Sequence, residues 1–183
     1  DENRNPILRW NGVGGPFNQQ MTSPDTFSQW YVDLPGINRT VDVILTLQQD
    51  PDGTGDLDKY AYDSRDEASG GFFPIDDLGY ATDDENGHTY SFSTEFHTFF
   101  RYQGGENLQF SGDDDDWVFI NGKLAVDLGG MHPRDADEIT LAAEIEPDLG
   151  IVYDPQFELY EGGIYAIDFY HAERQRTGSN FFL

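Results

Sequence analysis

The sequence predicts an all-β domain, an antiparallel β-sandwich that carries a long loop-rich insertion. Three observations lead there. No long stretch repeats its apolar residues at i, i+3, i+4 and i+7 between caps, so helical signals are poor. Short β-branched or alternating runs recur instead, separated by turn residues, which is the pattern of a sandwich or barrel. The acids are also lopsided: 24 of the 35 are Asp, beside 20 Gly and 9 Pro, and Asp favours turns and caps over helix interiors.

Taken in order, Val41 to Gln48 (VDVILTLQ) is a β-branched run and predicts a strand. Asp50 to Gly87 is acidic and the least strand-like part. Tyr60, Tyr62, Phe72, Phe73 and Tyr80 make it too aromatic for a linker, so it reads as an ordered insertion lying over the sandwich, with metal as a candidate fastener. Tyr90 to Tyr102 alternates: Phe92, Thr94, Phe96, Thr98, Phe100 and Tyr102 share one face, and Ser93, Glu95, His97 and Arg101 take the other. Trp117 to Ile120 and Lys123 to Asp127 flank Asn121-Gly122, a strong hairpin signal. Ile164 to His171 and Asn180 to Leu183 read as the last two strands, joined by Ala172 to Ser179. With no linker and no internal repeat, residues 1–183 form a single expected domain.

Charge narrows the function classes. Ten Lys and Arg against 35 acids give −25 and a pI near 4.1, which excludes a binder of nucleic-acid backbones or anionic membranes, since both need a basic face. An aromatic share of 15% argues against disorder. Cys is absent, so disulfides, thiol nucleophiles and Cys zinc sites are excluded, while secretion is not; Ca²⁺ can hold a secreted domain instead. No apolar run is long enough to span a bilayer, and no signal peptide opens the chain. The start, Asp1-Glu2-Asn3-Arg4, reads as a domain excised from something longer.

Two acidic runs are candidate metal sites. Asp113-Asp114-Asp115-Asp116 sits between two strands, and four consecutive carboxylates cannot all be buried without a counter-charge. A short loop crowds them, which suits a hard divalent cation; a solvated acidic loop is the alternative. Asp50, Asp52, Asp56 and Asp58 alternate around Gly53 and Gly55 like the start of a calcium loop, forming a candidate second calcium site or a plain polar turn. Ala61 stands where an EF-hand has its Glu, so an EF-hand is excluded. The four His are scattered, which does not suggest zinc, and His132 before Pro133 reads as a structural turn residue. Two carboxylates at the right separation could serve a glycosidase, but adjacent Asp share one environment, and no nucleophile elbow or phosphate loop is present. No catalysis is expected.

The stretch from Glu95 to Tyr102, the run Phe110-Ser111-Gly112 through Met131-His132-Pro133, and Phe169 to Phe181 together resemble fibro-slime domains, as does Gly70-Gly71-Phe72-Phe73-Pro74-Ile75-Asp76. These belong to the wider protective-antigen-type β-sandwich family, and the resemblance covers roughly residues 60–183. It implies a lectin geometry. In that geometry two neighbouring aspartates joined by a cis peptide bind one Ca²⁺, a loop between the last two strands completes the shell, and two vicinal sugar hydroxyls coordinate the same ion. Counting back from Gly122 puts the pair on Asp113 and Asp114, with Asp115-Asp116 as the other frame. The second loop would be Ala172 to Asn180, with the Gln175 amide and the Thr177 and Ser179 carbonyls as ligands and Asn180 as the alternative amide. Arg176 and Asn180 would join Asp113, Asp114 and Gln175 around the sugar. Glu173 and Arg174 read as a local ion pair.

The resemblance thus implies a calcium-dependent carbohydrate-binding module of an extracellular, cell-surface adhesin. The lack of disulfides points to a bacterial one. Its partners would be cell-surface glycans or monosaccharides with vicinal hydroxyls, and the isolated domain would be monomeric within a longer multidomain chain. A calcium-rigidified structural or protein-interaction module is the alternative, as is the substrate-binding module of a glycoside hydrolase.

Overall fold

A computed structural model describes residues 24–78, 87–130, 132–176 and 178–183. A four-residue helix, α1 (Pro24–Phe27), precedes twelve strands. These are β1 (Gln48–Gln49), β2 (Tyr60–Ala61), β3 (Phe92–Arg101), β4 (Asn107–Gly112), β5 (Asp115–Ile120) and β6 (Lys123–Leu128). There follow β7 (Asp135–Thr140), β8 (Glu144–Ile145), β9 (Val152–Asp154), β10 (Leu159–Tyr160), β11 (Ile164–Glu173) and β12 (Phe181–Phe182). Every ladder is antiparallel. One sheet runs β3-β11-β5-β6 and the other β12-β4-β7, with two small sheets, β10-β9-β8 and β1-β2, beside them.

The alternation of β3 works as the sequence predicts. Phe92 and Tyr102 are buried, and Phe96 and Phe100 pack on the core, while Ser93, Glu95, His97 and Arg101 face out. Phe96 lies opposite Phe169 on β11 with ring centroids 4.1 Å apart. Phe110 of β4 reaches the same Phe169 from the second sheet at 5.5 Å, so this ring cluster is where the two sheets meet. The β5–β6 hairpin turns on Asn121 (φ 50°) and Gly122 (φ 74°), the pair of positive φ angles that a tight two-residue hairpin needs. The outer face of the four-stranded sheet is covered too: Trp117 and Tyr170 pack against Phe27, Trp30 and Tyr31.

Two expectations are corrected. Val41 to Gln48 forms no strand beyond Gln48, which with Gln49 pairs Ala61 and Tyr60. Ile44 is 92% exposed, and among the described residues Val41–Leu47 has no ladder partner. β-Branched composition stabilises a strand only when a neighbouring strand accepts its backbone bonds and side chains. Ile44→Asp is therefore expected to change unfolding free energy by less than about 0.5 kcal/mol in urea titration, the range of surface substitutions.

The second correction concerns Asp50 to Gly87, of which residues 79–86, Tyr80 among them, lie outside the described residues. The segment is not laid over the sandwich. Tyr62 and Phe72 form a core cluster with Phe92 and Phe181. The backbones of Tyr62 and Leu183 exchange two hydrogen bonds, 2.8 and 3.1 Å, which adds this segment to the edge beyond β12. Two aromatic rings buried this way anchor the segment to the core.

Candidate functional site

The four aspartates lie where β5 begins, at the end of the sandwich, and strand alternation sends the two inside the strand, Asp115 and Asp116, to opposite faces. Asp116 shares the inward face with Val118 and Ile120. Its carboxylate is buried, both oxygens lack a hydrogen-bond partner, and it lies against the Gly112 backbone so closely that a Cβ there would sit 1.8 Å from Oδ2. Asp115 points to the opposite face. Its Oδ1 accepts from the Gly130 amide at 2.6 Å and its Oδ2 pairs with Arg174 Nε at 2.5 Å.

Asp113 and Asp114 precede the strand and face the loop between β11 and β12. Asp113 accepts from the Asn180 amide nitrogen and, at 2.8 Å, from Asn180 Nδ2; it is half-buried. Asp114 Oδ2 accepts from the Arg174 amide at 2.8 Å and is buried. Asp113 and Asp114 thus meet this loop through Asn180 and the Arg174 backbone amide, Asp115 meets it through the Arg174 side chain, and Asp116 turns into the core.

The environment is acidic and largely buried. Burial pushes Asp114 and Asp115 above the usual carboxylate range, with the Arg174 charge opposing it in both. Burial, then repulsion from Asp113, Asp115 and Asp114, pushes Asp116 well up. Glu173 is raised to about 8, chiefly by burial. His171, opposite Asp116 in the β11–β5 register, is lowered to about 4 by burial. It is therefore neutral at pH 7, and its Nε2–H donates to the Asp113 carbonyl at 2.9 Å.

The other sequence-predicted residues fall as follows. Gln175 and Arg176 are exposed, and the Gln175 backbone N–H donates to Glu173 Oε1 at 2.8 Å. Thr177 lies outside the described residues. The Ser179 carbonyl accepts from Phe72 N at 2.8 Å, leaving one lone pair. Asn180, the alternative amide, is the one that meets Asp113. All peptide bonds among the described residues are trans, so the cis linkage implied by the resemblance is absent. The trans form is the lower-energy one, and both carboxylates reach the loop with it.

Glu173 and Arg174 do not pair, because successive residues at a strand end point to opposite faces; Arg174 reaches Asp115 instead. That bridge and the Gly130 amide were not read from the sequence, though the alternation of β11 carried the signal for the first. His132 is the turn residue expected, its ring nitrogens 2.8 and 2.9 Å from the Leu128 and Pro133 carbonyls. In the Asp50–Asp58 turn, Asp50 and Asp52 both accept from the Thr54 hydroxyl, Asp52 pairs with Lys59 at 2.6 Å, and Asp56 caps the Asp58 amide. Among the described residues no three His, Asp or Glu side chains gather around one point, so further oxygens at any cation site would come from amides, carbonyls or water.

Two carboxylates and a facing amide thus meet on loops at one end of an antiparallel β-sandwich. The chain belongs to the PA14 domain family, whose model matches residues 74–182. It is 35% identical to Protein psiQ of Dictyostelium discoideum over 170 residues, covering 86% of this chain and 15% of psiQ. To Protein psiJ of the same organism it is 33% identical over 178 residues, covering 89% and 22%, and to Protein psiC 36% over 165 residues, covering 86% and 28%. The chain therefore spans less than a third of each of these relatives. No solved structure matches it. The match names the broad PA14 family rather than fibro-slime, and the bacterial source implied by the resemblance finds no support in these Dictyostelium proteins. Among the described residues no helix is long and apolar enough to cross a membrane.

Proposed function

We propose that this domain is a calcium-dependent carbohydrate-binding module, without catalytic activity, of a cell-surface adhesin. PA14 domains are often carbohydrate-binding modules of adhesins, which supports the coarser part of this reading. The observation that carries the finer part is the pair Asp113–Asp114, turned toward the β11–β12 loop with the Asn180 amide against Asp113. The surroundings are acidic, which suits a hard divalent cation: Asp115, Asp116 and Glu173 lie near this pair without converging on one point, and Asp116 is buried with both oxygens unpartnered. Asp113 and Asp114 would hold Ca²⁺, with loop carbonyls adding oxygens and the Asn180 side-chain oxygen joining them once its Nδ2–H, which now donates to Asp113, turns away. When bound, the ion supplies open positions that two vicinal sugar hydroxyls can take from water. The loop residues Gln175 and Arg176, both exposed, would contact the rest of the sugar. The proposal does not extend to Asp50–Asp58, where Lys59 already neutralises Asp52.

The test is titration with fucose, mannose, glucose and galactose in calcium and in chelator. A hydroxyl-for-water exchange buries little apolar surface, so a monosaccharide is expected at micromolar to millimolar Kd, about −4 to −8 kcal/mol. Asp114→Asn should abolish binding with the β spectrum intact, because a carboxyl that burial already favours as neutral tolerates an amide. Sugar binding that survives both chelator and Asp114→Asn would overturn the proposal. Calcium-induced stabilisation with no sugar bound would favour a calcium-rigidified structural module, a role to which the burial of Asp114 is also suited.

A further inference from the structure

We infer that Arg174 is the resident cation of the aspartate loop: a positioning residue that occupies Asp115 and so leaves Asp113 and Asp114 as the pair facing the β11–β12 loop. This rests on the calcium reading above and names a residue that is not a ligand in it. Four contacts support the role. The Arg174 guanidinium pairs with Asp115 Oδ2 at 2.5 Å, with the two side chains only 13% and 0% exposed. Its own backbone amide donates to Asp114 Oδ2 at 2.8 Å. Its guanidinium carbon lies 5.2 Å from the centroid of the Trp30 ring, within cation–π range. The second Asp115 oxygen is held by Gly130 N, so both oxygens of this carboxylate are committed.

One residue therefore joins the β4–β5 turn through Asp114, the start of β5 through Asp115, the loop after β6 through Asp115 and Gly130, and the covering segment through Trp30. Its charge matters as much as its shape. Arg174 neutralises Asp115 alone, and a cation arriving beside Asp113, Asp114 and Asp116 would favour the ionised form of each. The guanidinium also stands close enough to repel that cation, which makes Arg174 a brake on calcium affinity as well as a support for the calcium-free fold. A residue that merely fills space would do only the second.

These two roles separate in one experiment, using calcium alone as the probe. Arg174→Gln is expected to lower the melting temperature in chelator by several degrees, since it leaves Asp115 buried without its counter-charge. The same variant is expected to bind calcium more tightly, by at least about threefold in isothermal titration, because a positive charge near the ion is gone. Arg174→Lys should restore the wild-type calcium affinity. If Arg174→Gln does not fold in chelator, the neutral pair Arg174→Gln with Asp115→Asn serves. It should bind calcium within about threefold of wild type, whereas an Asp115 that ligates the ion would show a loss of tenfold or more. Unchanged or weaker calcium binding by Arg174→Gln, or a tenfold loss in the double variant, overturns this inference alone. A wild-type chain that takes up no calcium overturns the proposed function and this inference with it.

Discussion

Gly112→Ala should cost the domain about 3 kcal/mol or more, at or above the upper end of ordinary overpacking. The added methyl would lie 1.8 Å from Asp116 Oδ2 and 2.7 Å from its Cγ, distances that no side chain tolerates. Asp116 cannot swing aside cheaply. It is short and buried on the inward face of β5, where Phe110, Val118, Phe169 and Phe181 line the same space. The backbone of β4 would have to move, and β4 holds both β12 and β7. Asp116→Ala in the same chain removes the obstacle, so the double variant should recover most of the loss in urea unfolding. A coupling near zero between the two changes would show that the strain lies elsewhere.

The sequence carries the parts of the fold whose signals are local. The alternation of β3 needs only the period of two, and Asn121-Gly122 needs only the positive φ that these residues tolerate, so both were legible. Val41–Leu47 failed for the opposite reason: strand formation depends on a partner backbone that local composition cannot reveal. The acidic stretch after Asp50 was misplaced because its hydrophilic average hides Tyr62 and Phe72. Those two rings, packed on Phe92 and Phe181, make the segment part of the core.

For the site, counting from the hairpin glycine selects the loop but not the orientation of each carboxylate. That orientation follows from where β5 begins. Asp115 and Asp116 are already in the strand and take opposite faces, while Asp113 and Asp114 are still in the turn. The facing amide depends on how the β11–β12 loop folds back, which brings Asn180 rather than Gln175 to Asp113. A one-residue preference of this kind has no signature in composition or spacing.

In chelator, the stability of the domain should be nearly flat from about pH 5 to 6.5 and then fall as pH rises further. Two buried groups set this shape with opposite signs. His171 has its folded pKa lowered to about 4, so between that value and the usual 6.5 or so the unfolded chain binds the extra proton, and stability rises with pH. Glu173 has its folded pKa raised to about 8. From roughly pH 4.5 to 8 the folded chain holds a proton that the unfolded chain has lost, so stability falls with pH. Below pH 6.5 the two slopes oppose each other. Above it His171 is neutral in both states and only the falling slope remains. At about 1.4 kcal/mol per pH unit, Glu173 alone removes about 2 kcal/mol between pH 6.5 and 8. Urea unfolding at half-unit pH steps measures it. Glu173→Gln keeps an oxygen for the Gln175 backbone amide while abolishing the titration, and should flatten most of the decline. Saturating calcium should also reduce it, because a cation at Asp113–Asp114 favours the ionised form of every carboxyl near it. Stability that rises from pH 6.5 to 8 in chelator would mean that Glu173 is ionised in the folded chain, and the site would then hold a charge that its burial disfavours.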